Sequence, residues 1–178
     1  MNHDNLQGGL LIKEITNIAE LEAGALVIRN SFQTVANEFG LTKNNSPTHP
    51  AFITVDRLQE AKDKGVVFFG FFDGNKQIGL VALEKSTEDV YFLERLSVLP
   101  NYRHHGYGKK LLDYGFNYVS AKGGKVIKIA LINKHAVLKK WYLDYGFIET
   151  GTKQFPHLLF TVCFMEKGVN QEVETLYL

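Results

Sequence analysis

The sequence predicts a mixed α/β fold, one sheet with strands in both orientations and helices on both faces. Three observations predict it. Helical and strand patterns interleave in the order β-α-α-β-β-β-α-β-α-β-β, which calls for a layered architecture. The run "KVIKIALI" at 125–132 is apolar almost throughout, as a strand buried on both faces should be. "VVFFGFF" and "KQIGLVALEK", joined by Asp73-Gly74-Asn75, read as a β-hairpin, because Asp-Gly between apolar runs is a strong turn signal. With 178 residues, 45% of them hydrophobic and 22% charged, the chain has about one domain's worth of ordinary globular sequence. The reading is therefore a single domain over 1–178, with a tail at 168–178.

The elements follow in order. "LLIKEIT" (10–16) reads as a first strand. Leu21, Ala25, Ile28, Phe32, Val35 and Phe39 then recur at spacings of four and three, one apolar stripe along a long helix. Thr16 or Asn17 suits its N-cap and Gly40 its end. After a turn-rich loop, "AFITVDRLQEAKDKG" reads as a second helix closed by Gly65. The hairpin comes next, then "DVYFLERLSVL" as a strand ending at Pro100. A third helix places Leu111, Leu112, Gly115, Phe116 and Val119 on one side and stops at Gly123-Gly124. The apolar strand follows, then a helix in "NKHAVLKKWYLDYG" beginning near Asn133. "FIETGTKQF" and "HLLFTVCFMEK" supply the last strands.

Composition excludes several functions. A net charge of +1 argues against a polybasic nucleic-acid binder. One cysteine, Cys163, can form neither an internal disulfide nor a zinc site, and it reads as a small buried thiol suited to a reducing compartment. "MNHDNLQGG" is no signal peptide, and no apolar run approaches the roughly 20 residues that span a bilayer. No histidine pair has the helical spacing of a metal site. The expectation is a cytoplasmic protein without metal, membrane or nucleic-acid partner. The apolar residues of "VETLYL" suit docking on the chain's own sheet or on a partner, a second copy included.

The stretch "NYRHHGYGKK" at 101–110 carries the strongest chemical signal. It lies between a strand and a helix. A helix N-terminus bears about half a positive charge and several unpaired N–H groups. Gly106 and Gly108, read as preceding the helix, would let backbone approach an anion closely, and Arg103, Lys109 and Lys110 add charge. That outlines a diphosphate site. It is not a P-loop, since Leu111 follows Lys110 where a hydroxyl is needed, and the dinucleotide fingerprint would require glycine at 111.

"LSVLPNYRHHGYGKKLL", followed by "NKHAVLKKWYLDYGF", resembles two signatures of the GNAT superfamily of acyl-CoA-dependent N-acyltransferases. The first matches Arg/Gln-x-x-Gly-x-Gly/Ala after a Val-x-Pro strand end. The second matches Asn-x-x-Ala…Tyr-x-x-x-Gly-Phe, here Asn133, Ala136, Tyr142, Gly146 and Phe147. The resemblance, which extends to the element order over 10–167, implies a central mixed, mostly antiparallel sheet. That sheet would be splayed between its fourth and fifth strands, those carrying Val98 and Ile129, to admit acetyl-CoA as co-substrate. It implies that backbone near Leu96 and Val98 pairs with the pantetheine arm. The amides of His104, His105, Gly106, Tyr107, Gly108 and Lys109, beside Arg103, would hold the diphosphate, and Asn133 and Ala136 would contact the pantetheine from the other side.

Acetyl transfer to an amine needs a neutral amine, a donor for the oxyanion and a proton for the leaving thiolate. Tyr142 lies where the family places its general acid, and a phenol is protonated at neutral pH. On position alone it would read as an aromatic packed beside Trp141 and Tyr145. The Val98 N–H, held by a strand bulge, is the oxyanion candidate. Strand alternation puts Glu94 on one face with Val90, Phe92, Leu96 and Val98, so Glu94 is the candidate base, directly or through water. A partner for Arg95 or an anchor for a substrate ammonium fits it equally. His104 and His105 read as solvated loop residues, while His49 and His157 are further candidates to line an acceptor pocket. The leading expectation is an N-acetyltransferase for a small amine or a protein N-terminus. The alternative is a non-catalytic acyl-CoA-binding module. The few acids in "NEFGLTKNNSPTHPAF" disfavour a polyamine acceptor.

Overall fold

The computed structural model describes residues 9–169. The element order is the one read from the sequence: β1 (Leu10–Glu14), α1 (Ile18–Phe39), a 3-10 turn (Pro50–Phe52), α2 (Val55–Asp63), β2 (Val67–Asp73), β3 (Lys76–Lys85) and β4 (Val90–Val98), then a 3-10 turn (Pro100–Tyr102), α3 (Tyr107–Ala121), β5 (Val126–Ile132), α4 (Ala136–Tyr145), β6 (Ile148–Gln154) and β7 (Thr161–Gly168). The strands hydrogen-bond in the order β1-β2-β3-β4-β5-β7-β6. β1–β2, β5–β7 and β6–β7 are antiparallel, whereas β4 and β5 are parallel. The β4–β5 register joins only Val90–Phe92 to Val126–Lys128, although β4 runs on to Val98 and β5 to Ile132. The fold class expected from sequence, mixed and mostly antiparallel, is the one observed.

The chain divides into two compact units, Met1–Ala82 with Arg95–Tyr114, and Leu83–Glu94 with Gly115–Leu178. No linker composition announces this, because the boundaries fall inside β3, β4 and α3.

In the first unit the side chain of Asn17 caps α1 by accepting from the Glu20 N–H, and Gly40 ends the helix in left-handed conformation. Leu21, Ala25 and Ile28 of α1 meet Leu58 of α2, Phe68 of β2, and Leu80 and Ala82 of β3 in one core. α1 crosses β3 so closely that a Cβ on Gly24 would stand 2.8 Å from Leu80 Cδ1, and the end of that leucine side chain would have to shift to admit it. Strand alternation turns Phe69 and Phe71 to the other face of β2, where they meet Tyr114 and Tyr107 of α3. Both faces of β2 are thus covered, and the first turns of α3 are fixed on the sheet.

In the second unit β5 lies between β4 and β7, with Ile127, Ile129, Cys163 and Met165 buried. Phe116 of α3 meets Tyr145 and Phe147, and Phe147 meets Tyr142 edge-on with ring centroids 5.3 Å apart.

Several boundaries differ from the sequence reading. The second helix starts at Val55, because the Thr54 hydroxyl accepts from the Arg57 N–H and caps it, while Pro50–Phe52 forms a separate 3-10 turn. α3 begins at Tyr107, so Gly108 is its second residue and only Gly106 precedes it. α4 begins at Ala136 behind His135, whose Nδ1 accepts from the Leu138 N–H, and not near Asn133. The last strand begins at Thr161 rather than at His157. Of the tail, Gly168 closes β7 and the Val169 N–H donates to Lys125 O; residues 170–178 lie outside the described residues.

Candidate acyl-CoA site

The turn ahead of α3 is built from left-handed backbone. His104 has φ 64° and Gly106 φ 76°. A non-glycine residue in that region is uncommon, and left-handed residues in a turn are a component of the backbone cradles that bind anions. Nothing lies within 4 Å of where a Cβ on Gly106 would sit, so the cradle has room for an anion. The opening amides of α3, Tyr107 onward, have no intrahelical acceptor by helix geometry. The residues therefore fit a diphosphate.

Bonds within the first unit set the turn. The Tyr102 and Arg103 N–H groups donate to Leu99 O and Pro100 O. His105 Nδ1 donates to Arg103 O at 2.7 Å, and its ring stacks on Tyr107. Lys109 pairs with Asp113, and the Lys110 ammonium lies over the Tyr107 ring. Arg103 turns inward. Its Nε donates to Val98 O at 3.2 Å, and its terminal nitrogens donate to Thr34 Oγ1 at 3.2 Å and Ser31 O at 2.8 Å. Burial lowers its pKa, but a guanidinium stays charged at any physiological pH. Arg103 thus ties the end of β4 to α1.

β4 carries a left-handed residue in mid-strand, Arg95 at φ 53°, although alternate residues stay buried on either side of it. Tyr91 and Leu93 are buried and Phe92 exposed, as alternation requires; beyond Arg95, Ser97 is buried and its hydroxyl donates to Arg95 O at 2.7 Å. A kink of this kind re-aims the following backbone. Leu96 and Val98, both half-buried, follow it, and half-buried Glu94 precedes it.

In the second unit the Tyr-x-x-x-Gly-Phe signature is the end of α4. The Gly146 N–H donates to Leu143 O and the Phe147 N–H to Tyr142 O at 3.0 Å. These are the two bonds of a Schellman cap, and the Tyr142–Phe147 ring contact is its hydrophobic partner. The spacing therefore has a capping cause that needs an apolar ring at 142 but not a hydroxyl. Tyr142 is 6% exposed, against Trp141 and Phe147, and burial pushes its phenol far above the ordinary range. It stays protonated.

Asn133 lies two residues before the α4 cap. Its N–H donates to Thr161 O at 2.9 Å, and its Oδ1 accepts from Lys139 Nζ at 3.1 Å. Lys139 also pairs with Glu149 Oε2 at 2.6 Å. The hydrogen bond to Glu149 raises the Lys139 pKa, and burial raises that of the Cys163 thiol alongside, with the Lys139 ammonium opposing. Ala136, the first residue of α4, is exposed. Sequence reasoning missed His135, Lys139 and Glu149. A polar residue just ahead of the apolar helical pattern was the available signal for His135; the other two meet only through the fold.

Of the other histidines, His49 is buried between Phe32 and Phe52, and burial lowers its pKa; His157 is exposed beside Phe155. Among the described residues no group of three or more His, Cys, Asp or Glu side chains could hold a metal ion, and no helix is long and apolar enough to cross a membrane.

The acetyltransferase (GNAT) family profile matches residues 32–147, more than half of the chain. The chain belongs to that family. It is 38% identical over 61 residues to an uncharacterized N-acetyltransferase of Staphylococcus haemolyticus; that stretch is 29% of this chain and 42% of the relative, so the chain matches less than half of the relative's length. Its fold is shared with the ribosomal-protein-S18-alanine N-acetyltransferase of Escherichia coli, at a TM-score of 0.73 and 14% identity over 96% of this chain and 100% of that one. It is likewise shared with the PaiA N-acetyltransferase of Thermoplasma acidophilum, solved in complex with coenzyme A, at a TM-score of 0.71 and 20% identity over 90% of this chain and 99% of that one.

Proposed function

We propose that the chain is an N-acetyltransferase that moves the acetyl group of acetyl-CoA to a primary amine, of a small molecule or of a protein N-terminus, by direct attack in a ternary complex. The observation that carries this reading is the open, left-handed turn at His104 and Gly106 ahead of α3, on a chain of this family. In this reading the amides from His104 to Lys109 receive the diphosphate at the positive end of α3. Arg103 holds the turn in shape. The backbone at Leu96 and Val98 receives the pantetheine arm, and Asn133 and Ala136 contact it as well.

The neutral amine attacks the thioester carbonyl carbon. A C–N bond forms and the C–S bond breaks. The Val98 N–H donates to the carbonyl oxygen as it becomes an oxyanion. Glu94 takes the proton released by the amine, directly or through water, and the Tyr142 hydroxyl donates to the departing sulfur. Burial keeps Tyr142 protonated, so it enters as a donor and never as a base. The same burial makes it a weak acid, so hydrogen bonding to the developing thiolate precedes proton transfer. Solvent returns the proton from Glu94 to Tyr142.

The test is thiol release from acetyl-CoA by the purified chain, measured across a panel of amines and peptides. Release that depends on the amine is the expected result. Tight acetyl-CoA binding without release for any amine would replace the enzyme reading with an acyl-CoA-binding module.

A further inference from the structure

We infer that Lys139 and Glu149 act as a positioning pair that fixes the side-chain amide of Asn133 as a hydrogen-bond donor toward bound acyl-CoA. The inference rests on the acyl-CoA reading above and adds to it two residues that no sequence signature contains. An ammonium has three hydrogens and no lone pair, so at 3.1 Å it faces the oxygen of the Asn133 amide and not its NH2 group. The two ends of an asparagine amide are otherwise interchangeable in shape, and here the lysine removes that freedom. With Oδ1 taken and the Asn133 backbone N–H held by Thr161 O, the Nδ2 hydrogens are left on the opposite edge, and they donate to no group among the described residues.

Glu149 gives the arrangement its polarity. Lys139 is 22% exposed and reaches Glu149 Oε2 at 2.6 Å. A lysine this sheltered keeps its charge most securely beside a carboxylate. A neutral lysine would carry a lone pair and could accept from Nδ2, letting the amide turn over. Three elements take part: α4 supplies Lys139, β6 supplies Glu149, and the segment after β5 supplies Asn133.

The test is a double-mutant cycle on acetyl-CoA affinity, read by titration calorimetry, with thermal melts as a control on folding. Lys139→Met and Asn133→Ala are each expected to weaken binding roughly five- to tenfold, the scale of one hydrogen bond with its geometry lost. The double variant should bind no worse than the weaker single variant, because both changes remove one contact. Lys139→Arg, which also only donates, should bind like the wild type, a rescue that a loss of packing would not show. Additive losses overturn the inference. So does Asn133→Ala binding at wild-type strength. A wild-type chain that binds no acetyl-CoA overturns the acyl-CoA reading itself, a result distinct from either of those.

Discussion

The turn ahead of α3 is shaped by its main chain, with left-handed His104 and Gly106, and is braced by Arg103 through Ser31 O. At α4 the candidate groups are side chains: buried Tyr142 in a Schellman cap and Asn133 under a lysine. The difference teaches where each region is vulnerable. A turn that works through its main chain is broken by adding atoms and tolerates many changes in the side chains around it. A helix that works through individual side-chain atoms is broken by removing one of them. Each region should fail in its own way, and the failures rank.

Gly108→Glu adds bulk and negative charge at the start of α3, where the proposed function seats the diphosphate. Acetyl-CoA affinity should fall at least about a hundredfold, through repulsion at the diphosphate and loss of space. Micromolar binding retained by this variant would show that the turn is not the diphosphate site. Tyr142→Phe is the opposite kind of change, the loss of one oxygen. The Schellman cap and the contact with Phe147 need only the ring, so the melting temperature and acetyl-CoA affinity should stay near wild type. Turnover should drop by about a hundredfold, the lower range for a positioned acid. Unchanged kcat would leave Tyr142 with its capping role alone.

Arg103→Ala gives the smallest expected effect and the sharpest contrast. It removes the donors to Val98 O, Thr34 and Ser31 O. The cost should be about 2–3 kcal/mol, since buried carbonyls lose a charged partner. For a chain of this size that lowers the melting temperature by about 5–10 °C. Acetyl-CoA binding at moderate temperature should weaken far less than in Gly108→Glu. If binding collapses while the melting temperature holds, Arg103 touches the anion directly and the turn does not work through backbone alone.

Much of the fold was legible in the sequence because local signals agreed with the tertiary structure. Asn17 and Gly40 mark the ends of α1 in one dimension as they do in three, and the Asp73-Gly74 turn sets β3 to the residues read for it. The errors fall where a local preference was overruled. Gly108 discourages a helix, yet α3 includes it, because Tyr107 and Tyr114 dock on Phe71 and Phe69 of β2. Arg95 gives no sign in the sequence of its left-handed conformation, although the alternation read along β4 holds across it, with Tyr91, Leu93 and Ser97 buried. Of the candidate site, the two signatures were legible, as was the glycine turn. The inward course of Arg103 was not, since Ser31 and Thr34 stand far from it along the chain. Nor was the capping origin of the Tyr142–Gly146–Phe147 spacing, which a signature records without its cause.

The most direct test of the central claim is calorimetric titration of the wild-type chain with acetyl-CoA, with desulfo-CoA as the thiol-free comparison. The expected result is one-to-one binding in the micromolar range for both, with affinity carried by the diphosphate and pantetheine that they share. Absence of heat for either ligand up to millimolar concentration would contradict the account, because the turn ahead of α3 would then hold no acyl-CoA.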